Sequence, residues 1–239
     1  MSGLPPDLIA TGPFIAAVAL AIVVLVVDLA WPGRRTPLLV VTLVGLGLVA
    51  ALTIATGWDI AAGDGTQRAT AFGGAYVVDG LTTFLDLLFI GIVAFTIVFG
   101  PDYLEPRGLP VAEFAVVLLF AMTGAMLIAA SADLLILFIA LELMVLPGYM
   151  LAGYHKTDGY STEGAIKYFL LGSFSSAIFL FGLAFTWGAT GTTSIAGVKE
   201  SLEAVVAGSN PLAPGPSAAT VPAMSKPGVR PFRPSSVIL

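Results

Sequence analysis

The sequence predicts an all-α membrane protein with about six transmembrane helices, and three observations predict it. Of the 239 residues, 57% are hydrophobic and only 10% are charged, where a soluble domain carries roughly a quarter charged residues. The mean hydropathy is +0.98. The apolar residues also gather into six runs of roughly 20, the length of helix that crosses a hydrocarbon core of about 30 Å. A barrel strand would need alternation over about ten residues, and these runs are apolar on every side.

The runs cover approximately 8–30, 37–57, 79–99, 111–130, 133–152 and 164–187. The first follows MSGLPPDL, whose only charge is Asp7. A secretory signal needs a positive start and a shorter apolar stretch, so a retained anchor is expected. Trp31-Pro32-Gly33-Arg34-Arg35-Thr36-Pro37 separates the first run from the second. Residues 58–78 hold Asp59, Gly63, Asp64, Gly65 and Arg68, a polar loop too short to be a domain. Asp79 is placed to cap the third run, and Gly100-Pro101 to end it. Ser131-Ala132-Asp133 reads as a tight turn whose Asp133 caps the fifth run. Residues 153–163 form a loop with His155, Lys156, Asp158 and Glu163.

Two regions result. Residues 1–203 form the six-helix transmembrane region. Residues 204–239 are rich in Pro, Ser and Arg, and no acidic residue follows Glu203. Pro211, Pro214, Pro216, Pro222, Pro227, Pro231 and Pro234 forbid a spanning helix there, so a disordered tail is expected.

Lysine and arginine set the expected orientation. Arg34, Arg35, Arg107 and Lys156 follow the first, third and fifth runs, while the opposite side has Arg68. The positive-inside rule then puts the N-terminus outside the cytoplasm.

Composition excludes several chemistries. Without cysteine there is no disulfide, iron–sulfur cluster or thiolate zinc site, and a single histidine rules out a histidine-rich metal or haem site. A net charge of -5 with no basic face argues against nucleic acid. Gly45-Leu46-Gly47-Leu48-Val49-Ala50 matches the dinucleotide fingerprint in letters only, because it lies inside an unbroken apolar run with no strand before it.

Glu142 is the sharpest candidate for chemistry. It lies near the middle of the fifth run, where a charged carboxylate costs about 2.5–3.5 kcal/mol on insertion scales. Low dielectric favours the protonated form and a nearby cation the ionised form, so such a group can exchange a proton. The alternative is a neutral acid bonding two helices together. Pro147 removes a helix hydrogen bond to the Leu143 carbonyl and is expected to kink the chain beside it. Lys167 stands about one turn inside the sixth run. It is either a counter-charge or relay for Glu142, or a side chain that snorkels to the surface. Asp86 and Asp28 are weaker candidates, Asp28 being close to the boundary. Gly172, Ser173, Ser175, Ser176 and Gly182 are small enough to let helices approach.

Two stretches carry a family resemblance. LELMVLPGYMLAGY (141–154) and EGAIKYFLLGSFSSAIFLFGLAFTWGATGTT (163–193) resemble subunit N of bacterial NADH-quinone oxidoreductase, an antiporter-like membrane subunit of respiratory complex I. The likeness extends more loosely over residues 8–200, through VVDLAWPGRR and Asp79-Gly80. It implies a fold of about 14 helices containing two inverted repeats, of which this chain would be the N-terminal part, C-terminally truncated or frameshifted. Glu142 matches the family's proton-relay glutamate and Lys167 its sixth-helix lysine. The lysines of the family's seventh, eighth and twelfth helices have no counterpart.

The resemblance further implies a proton-translocating membrane-arm subunit, coupling quinone reduction by NADH to proton movement. No cofactor would be bound by this chain; NADH and quinone would act at the level of the complex. The implied partners are other membrane-arm subunits and the lipid bilayer, in a bacterial inner membrane. A subunit of a multisubunit sodium/proton antiporter, a non-transporting membrane or assembly remnant, and a membrane-bound hydrogenase subunit are the alternatives.

Overall fold

The computed structural model describes residues 5–61 and 69–206. Gly63, Asp64, Gly65 and Arg68 of the polar loop, and residues 207–239, lie outside the described residues. Among the described residues, six helices are long and apolar enough to cross a membrane; lipid offers the backbone no hydrogen bonds, and a helix satisfies its own. They are α2 (Gly12–Ala30), α3 (Arg35–Ala61), α4 (Gly80–Leu104), α5 (Val111–Ala130), α6 (Leu134–Ala152) and α7 (Gly159–Thr190). A short α1 (Pro6–Ala10) precedes them and α8 (Ile195–Val206) follows.

Aspartates start three of the helices. Asp79 accepts from the Thr82 amide at 2.9 Å, and Asp133 from the Leu135 amide at 2.8 Å. Asp158 accepts from the Tyr160 and Ser161 amides. Each carboxylate satisfies amides that the first helical turn leaves open and sits at the positive end of the helix dipole.

Three sequence expectations are corrected here: residues 204–206, expected to begin a disordered tail, close α8, the expected loop 58–78 loses its first residues to α3 and holds two short strands, and the helix break at Gly100-Pro101 does not occur. Gly100-Pro101 does not end the third span, and α4 runs through Pro101 to Leu104. Proline removes only its own amide bond to the carbonyl four residues back. The turn beyond it is held from outside, since Arg35 at the start of α3 pairs with Asp102 at 2.9 Å and Glu105 at 3.2 Å. The sixth helix is also longer than its apolar run, starting at Gly159 because the Asp158 cap opens it one turn before the lipid-facing residues.

The core lies among α2, α3, α4 and α5. Ala17, Leu20, Ala21 and Val24 of α2 meet Leu46 and Val49 of α3, Ile90, Val93 and Ile97 of α4, and Ala115, Leu119, Met122 and Met126 of α5. These positions recur every three or four residues, the period of a helix face. Ten of the twenty residues of α5 are buried, three of α6 and none of α7. In lipid the apolar effect does not hold such helices together; close van der Waals packing does. Gly124 shows this between α5 and α6, where an added Cβ would lie 2.4 Å from the Met144 amide nitrogen.

One end of the bundle carries a hairpin that hydropathy did not reveal. β1 (Ala69–Ala71) pairs antiparallel with β2 (Tyr76–Val78) in the register Ala69↔Val78 and Ala71↔Tyr76. Phe72, Gly73 and Gly74 turn the chain with positive φ. The hairpin packs on Ala10 and Ala130. Bridges Tyr76↔Ser131 and Asp133↔Ser194 then tie the hairpin to the α5–α6 turn, and that turn to the start of α8. At the opposite end, Lys156 pairs with Glu113 at 3.8 Å, and the Tyr154 hydroxyl donates to the Pro110 carbonyl. Burial, then the nearby Glu113 carboxylate, push the Tyr154 phenol up to about 12, which keeps it a donor at ordinary pH.

The α5–α6 contact sets an expectation for stability. Gly124→Ala should destabilise the bundle by about 1–3 kcal/mol, because backbone is what the new methyl meets. Gly91→Ala, on an exposed stretch of α4 with nothing within 4 Å, should change it by less than about 0.5 kcal/mol. Denaturant unfolding of both variants in detergent micelles checks the contrast.

Candidate functional site

Glu142 occupies the middle of α6 and borders a cleft of about 210 Å³ between α6 and α7. From α6 the cleft also receives Phe138, Val145 and Tyr149. The spacing 138, 142, 145, 149 is one helix face, so the periodicity of α6 places all four side chains on one side. From α7 it receives Tyr168, Gly172, Ser175, Ser176 and Phe179, again one face. A carboxyl, two phenols and two serine hydroxyls therefore converge in an otherwise apolar setting. Phe138 and Phe179 stack at 5.9 Å along one wall. The helix remains continuous through Pro147, which is buried beside this face.

Tyr149 is the most buried of the cleft residues that sequence reasoning missed, Tyr168 being another. Its side chain is 7% exposed, and its hydroxyl has no hydrogen-bond partner. The ring stands edge-on to Tyr168 at 4.8 Å and to Phe169 at 5.5 Å, the arrangement aromatic quadrupoles favour. Gly172 makes room for it, since a Cβ there would lie 1.8 Å from the Tyr149 hydroxyl. The available signal was the interval of seven from Glu142 to Tyr149, two helical turns on the same face. Gly172 and Ser176 do serve packing, as small residues are expected to, and they line the cleft as well.

Lys167 lies elsewhere. It is 69% exposed and pairs with Glu163 one turn earlier on α7, and it is absent from the residues lining the cleft. The structure thus brings Glu142 together with tyrosines and serines, not with this lysine. An exposed pair of this kind contributes about 0.3–0.5 kcal/mol. Asp28 borders a charged cleft of about 420 Å³ with Arg34, Arg35, Glu105 and Glu113 at the opposite end of α2 from α1. His155 is exposed in the α6–α7 loop. Asp86 is 4% exposed within α4.

Comparison with known proteins bears on the fold. The family described as "NADH:quinone oxidoreductase/Mrp antiporter, TM" fits residues 131–232, which take in α6, α7 and α8 and part of the stretch 204–239. NADH-quinone oxidoreductase subunit N of Alkalilimnicola ehrlichii is 34% identical over 194 residues, covering 81% of this chain and 38% of that protein. NADH-quinone oxidoreductase subunit N 2 of Rhizobium meliloti is 37% identical, covering 81% and 39%. Respiratory complex I from Thermus thermophilus contains a chain that superposes with a TM-score of 0.59 at 28% identity, over 76% of this chain and 38% of that one. The chain spans about two fifths of the length of the relatives it matches.

In class, then, this is a multi-pass membrane protein with part of the antiporter-like subunit fold. In particular, its relatives are N subunits of NADH-quinone oxidoreductase, the resemblance that the motifs around Glu142 and Lys167 carry.

The contact between Tyr149 and Gly172 can be tested on its own. Gly172→Ala should destabilise the α6–α7 pair by about 1–3 kcal/mol through overpacking. Adding Tyr149→Leu should recover a large part of that loss. A double-mutant cycle on unfolding in detergent measures the coupling, and additive effects would contradict the contact.

Proposed function

We propose that this chain acts as a membrane-arm subunit of a proton-translocating NADH-quinone oxidoreductase, with Glu142 as its proton-exchanging group. The observation that carries the reading is the carboxyl at mid-span, facing a cleft with two phenols and two serine hydroxyls. In its neutral form Glu142 donates its proton to a hydroxyl or water of the cleft. In its ionised form it accepts hydrogen bonds from Tyr149, Tyr168 or the serines, which offsets part of the desolvation. Cycling between these forms moves one proton into and out of the cleft without redox chemistry in this chain. Oxidation of NADH and reduction of quinone belong to other subunits of the complex. Those subunits are its partners together with the bilayer, and the complex sits in a bacterial inner membrane.

Lys167 acts at the mouth of α7 rather than beside Glu142. A subunit of a sodium/proton antiporter is the second reading, favoured by the shared family description. Co-purification with peripheral dehydrogenase subunits supports the first reading; a compact antiporter assembly without them supports the second.

The topology follows from the clustering of Arg34, Arg35, Arg107 and Lys156 on one side, which is cytoplasmic, with the N-terminus outside. Thr157→Cys, in a chain without native cysteine, should resist an impermeant thiol reagent added to intact cells. Ready labelling would reverse the orientation.

In the assembled complex, Glu142→Gln should retain assembly and quinone reduction while lowering proton translocation at least tenfold. The amide keeps shape and hydrogen bonding but has no proton to exchange. Lys167→Ala should have a milder effect, within a few fold. Proton uptake into vesicles, read with a pH-sensitive dye, decides, and normal translocation by Glu142→Gln leaves the glutamate only a packing role.

A further inference from the structure

Asp86 is a buried titratable group that the Glu142 cleft does not use. It lies in α4 about 9 Å along the axis from Gly80, where the hairpin joins the bundle. Apart from the phenols Tyr76 and Tyr149, the other buried polar residues among the described ones are threonines, and each of their hydroxyls is satisfied. Thr11 donates to the Asp7 carbonyl, Thr42 to Leu38, Thr53 to Val49 and Thr123 to Phe120. Thr82, one turn before Asp86, reaches the Val77 and Ala129 carbonyls. Asp86 differs: its Oδ1 is buried without any hydrogen-bond partner. A carboxyl serving only as glue between helices would have both oxygens engaged.

Among the described residues, the surroundings hold no cation for it. α4 packs against α3, α5, β2 and the turn 105–107. Among the described side chains of those elements, the titratable groups are Arg35, Glu105, Arg107, Glu113 and Tyr76. Arg35 is engaged with Asp102 and Glu105 at the far end of α4, and Glu113 with Lys156 at that same end. Arg107 lies over the Tyr103 ring there too. Tyr76 of the hairpin, 4% exposed, is the one of these groups whose phenol the Asp86 charge reaches. Burial first, and the Asp86 carboxylate second, push its phenol above the ordinary tyrosine range, so it remains a neutral donor.

We infer that Asp86 is a second proton-binding site of this chain, at the hairpin end of the α2–α5 group and apart from the Glu142 cleft, with the Tyr76 phenol beside it. Buried, and with no cation near it among the described residues, the carboxyl carries its proton on one oxygen and leaves the other as an acceptor. On release, the proton passes to water at the hairpin, and the carboxylate left behind accepts from the phenol. Uptake reverses both steps, so charge and atoms balance without any further reactant.

The test is infrared spectroscopy of the full chain in lipid nanodiscs, produced with aspartate isotopically labelled at its carboxyl carbon. The label separates aspartic from glutamic acid, and it needs no transport activity, so its result is independent of the function proposed for Glu142. None of the other described aspartates is buried. A labelled protonated-acid band should be present at neutral pH, shift in heavy water as its proton exchanges, and vanish at alkaline pH. It should be lost in Asp86→Asn and kept in Glu142→Gln. Absence of the band in the unmodified chain would overturn the inference, and this arm holds even where Asp86→Asn fails to fold. So would a band that never exchanges in heavy water, which marks a sealed structural acid, or one that survives Asp86→Asn.

Discussion

Hydrocarbon gives the peptide backbone nothing to bond to, and the rest of this structure depends on that constraint. It forces each spanning segment into a helix and leaves only the ends of each helix to be satisfied by other means. Asp79, Asp133 and Asp158 meet that need at the starts of α4, α6 and α7. The segments between helices also close their own bonds. The hairpin 69–78, the turn at Ser131 and the start of α8 bond to one another, so the connections at that end form one strapped layer. The opposite end is joined by ions and a phenol instead, through Arg35, Asp102, Glu105 and Tyr154.

Within this frame the bundle is asymmetric. α5 is half buried and α7 is not buried at all, although both are apolar on every side. The polar cleft lies on the less buried side, between α6 and α7. The buried carboxyl of Asp86 lies on the tightly packed side. Two acids of the same chain therefore have different settings: Glu142 faces hydroxyls and a space large enough for several waters, while Asp86 faces a single phenol.

Much of this was legible beforehand. Hydropathy and length located all six spans, because membrane thickness fixes how many apolar residues a helix needs. The caps at Asp79 and Asp133 could be read because an aspartate just before an apolar run has few other reasons to be there. The stop at Pro101 was misread, because the interaction that extends α4 comes from Arg35, 66 positions earlier in the chain. The hairpin was invisible to hydropathy, since three-residue strands leave no periodic signal and exist here through pairing with Ser131 and packing on Ala10. Glu142 stood out from the sequence, whereas Tyr149, an ordinary aromatic in a run of apolar residues, did not.

The sequence by itself determined the number and approximate extent of the spans, the exclusion of cysteine and histidine metal chemistry, and the carboxyl at mid-membrane. These follow from local composition against a solvent of known thickness. Only the tertiary structure decided which polar groups share a space. It set Tyr149 against Gly172, put Ser175 and Ser176 on the same cleft as Glu142, paired Lys167 with Glu163, and left one oxygen of Asp86 unbonded. Those outcomes depend on how two helix faces are rotated and how closely they approach. In lipid that is governed by the fit of small residues such as Gly124 and Gly172 rather than by the apolar pattern, which is nearly the same on every face.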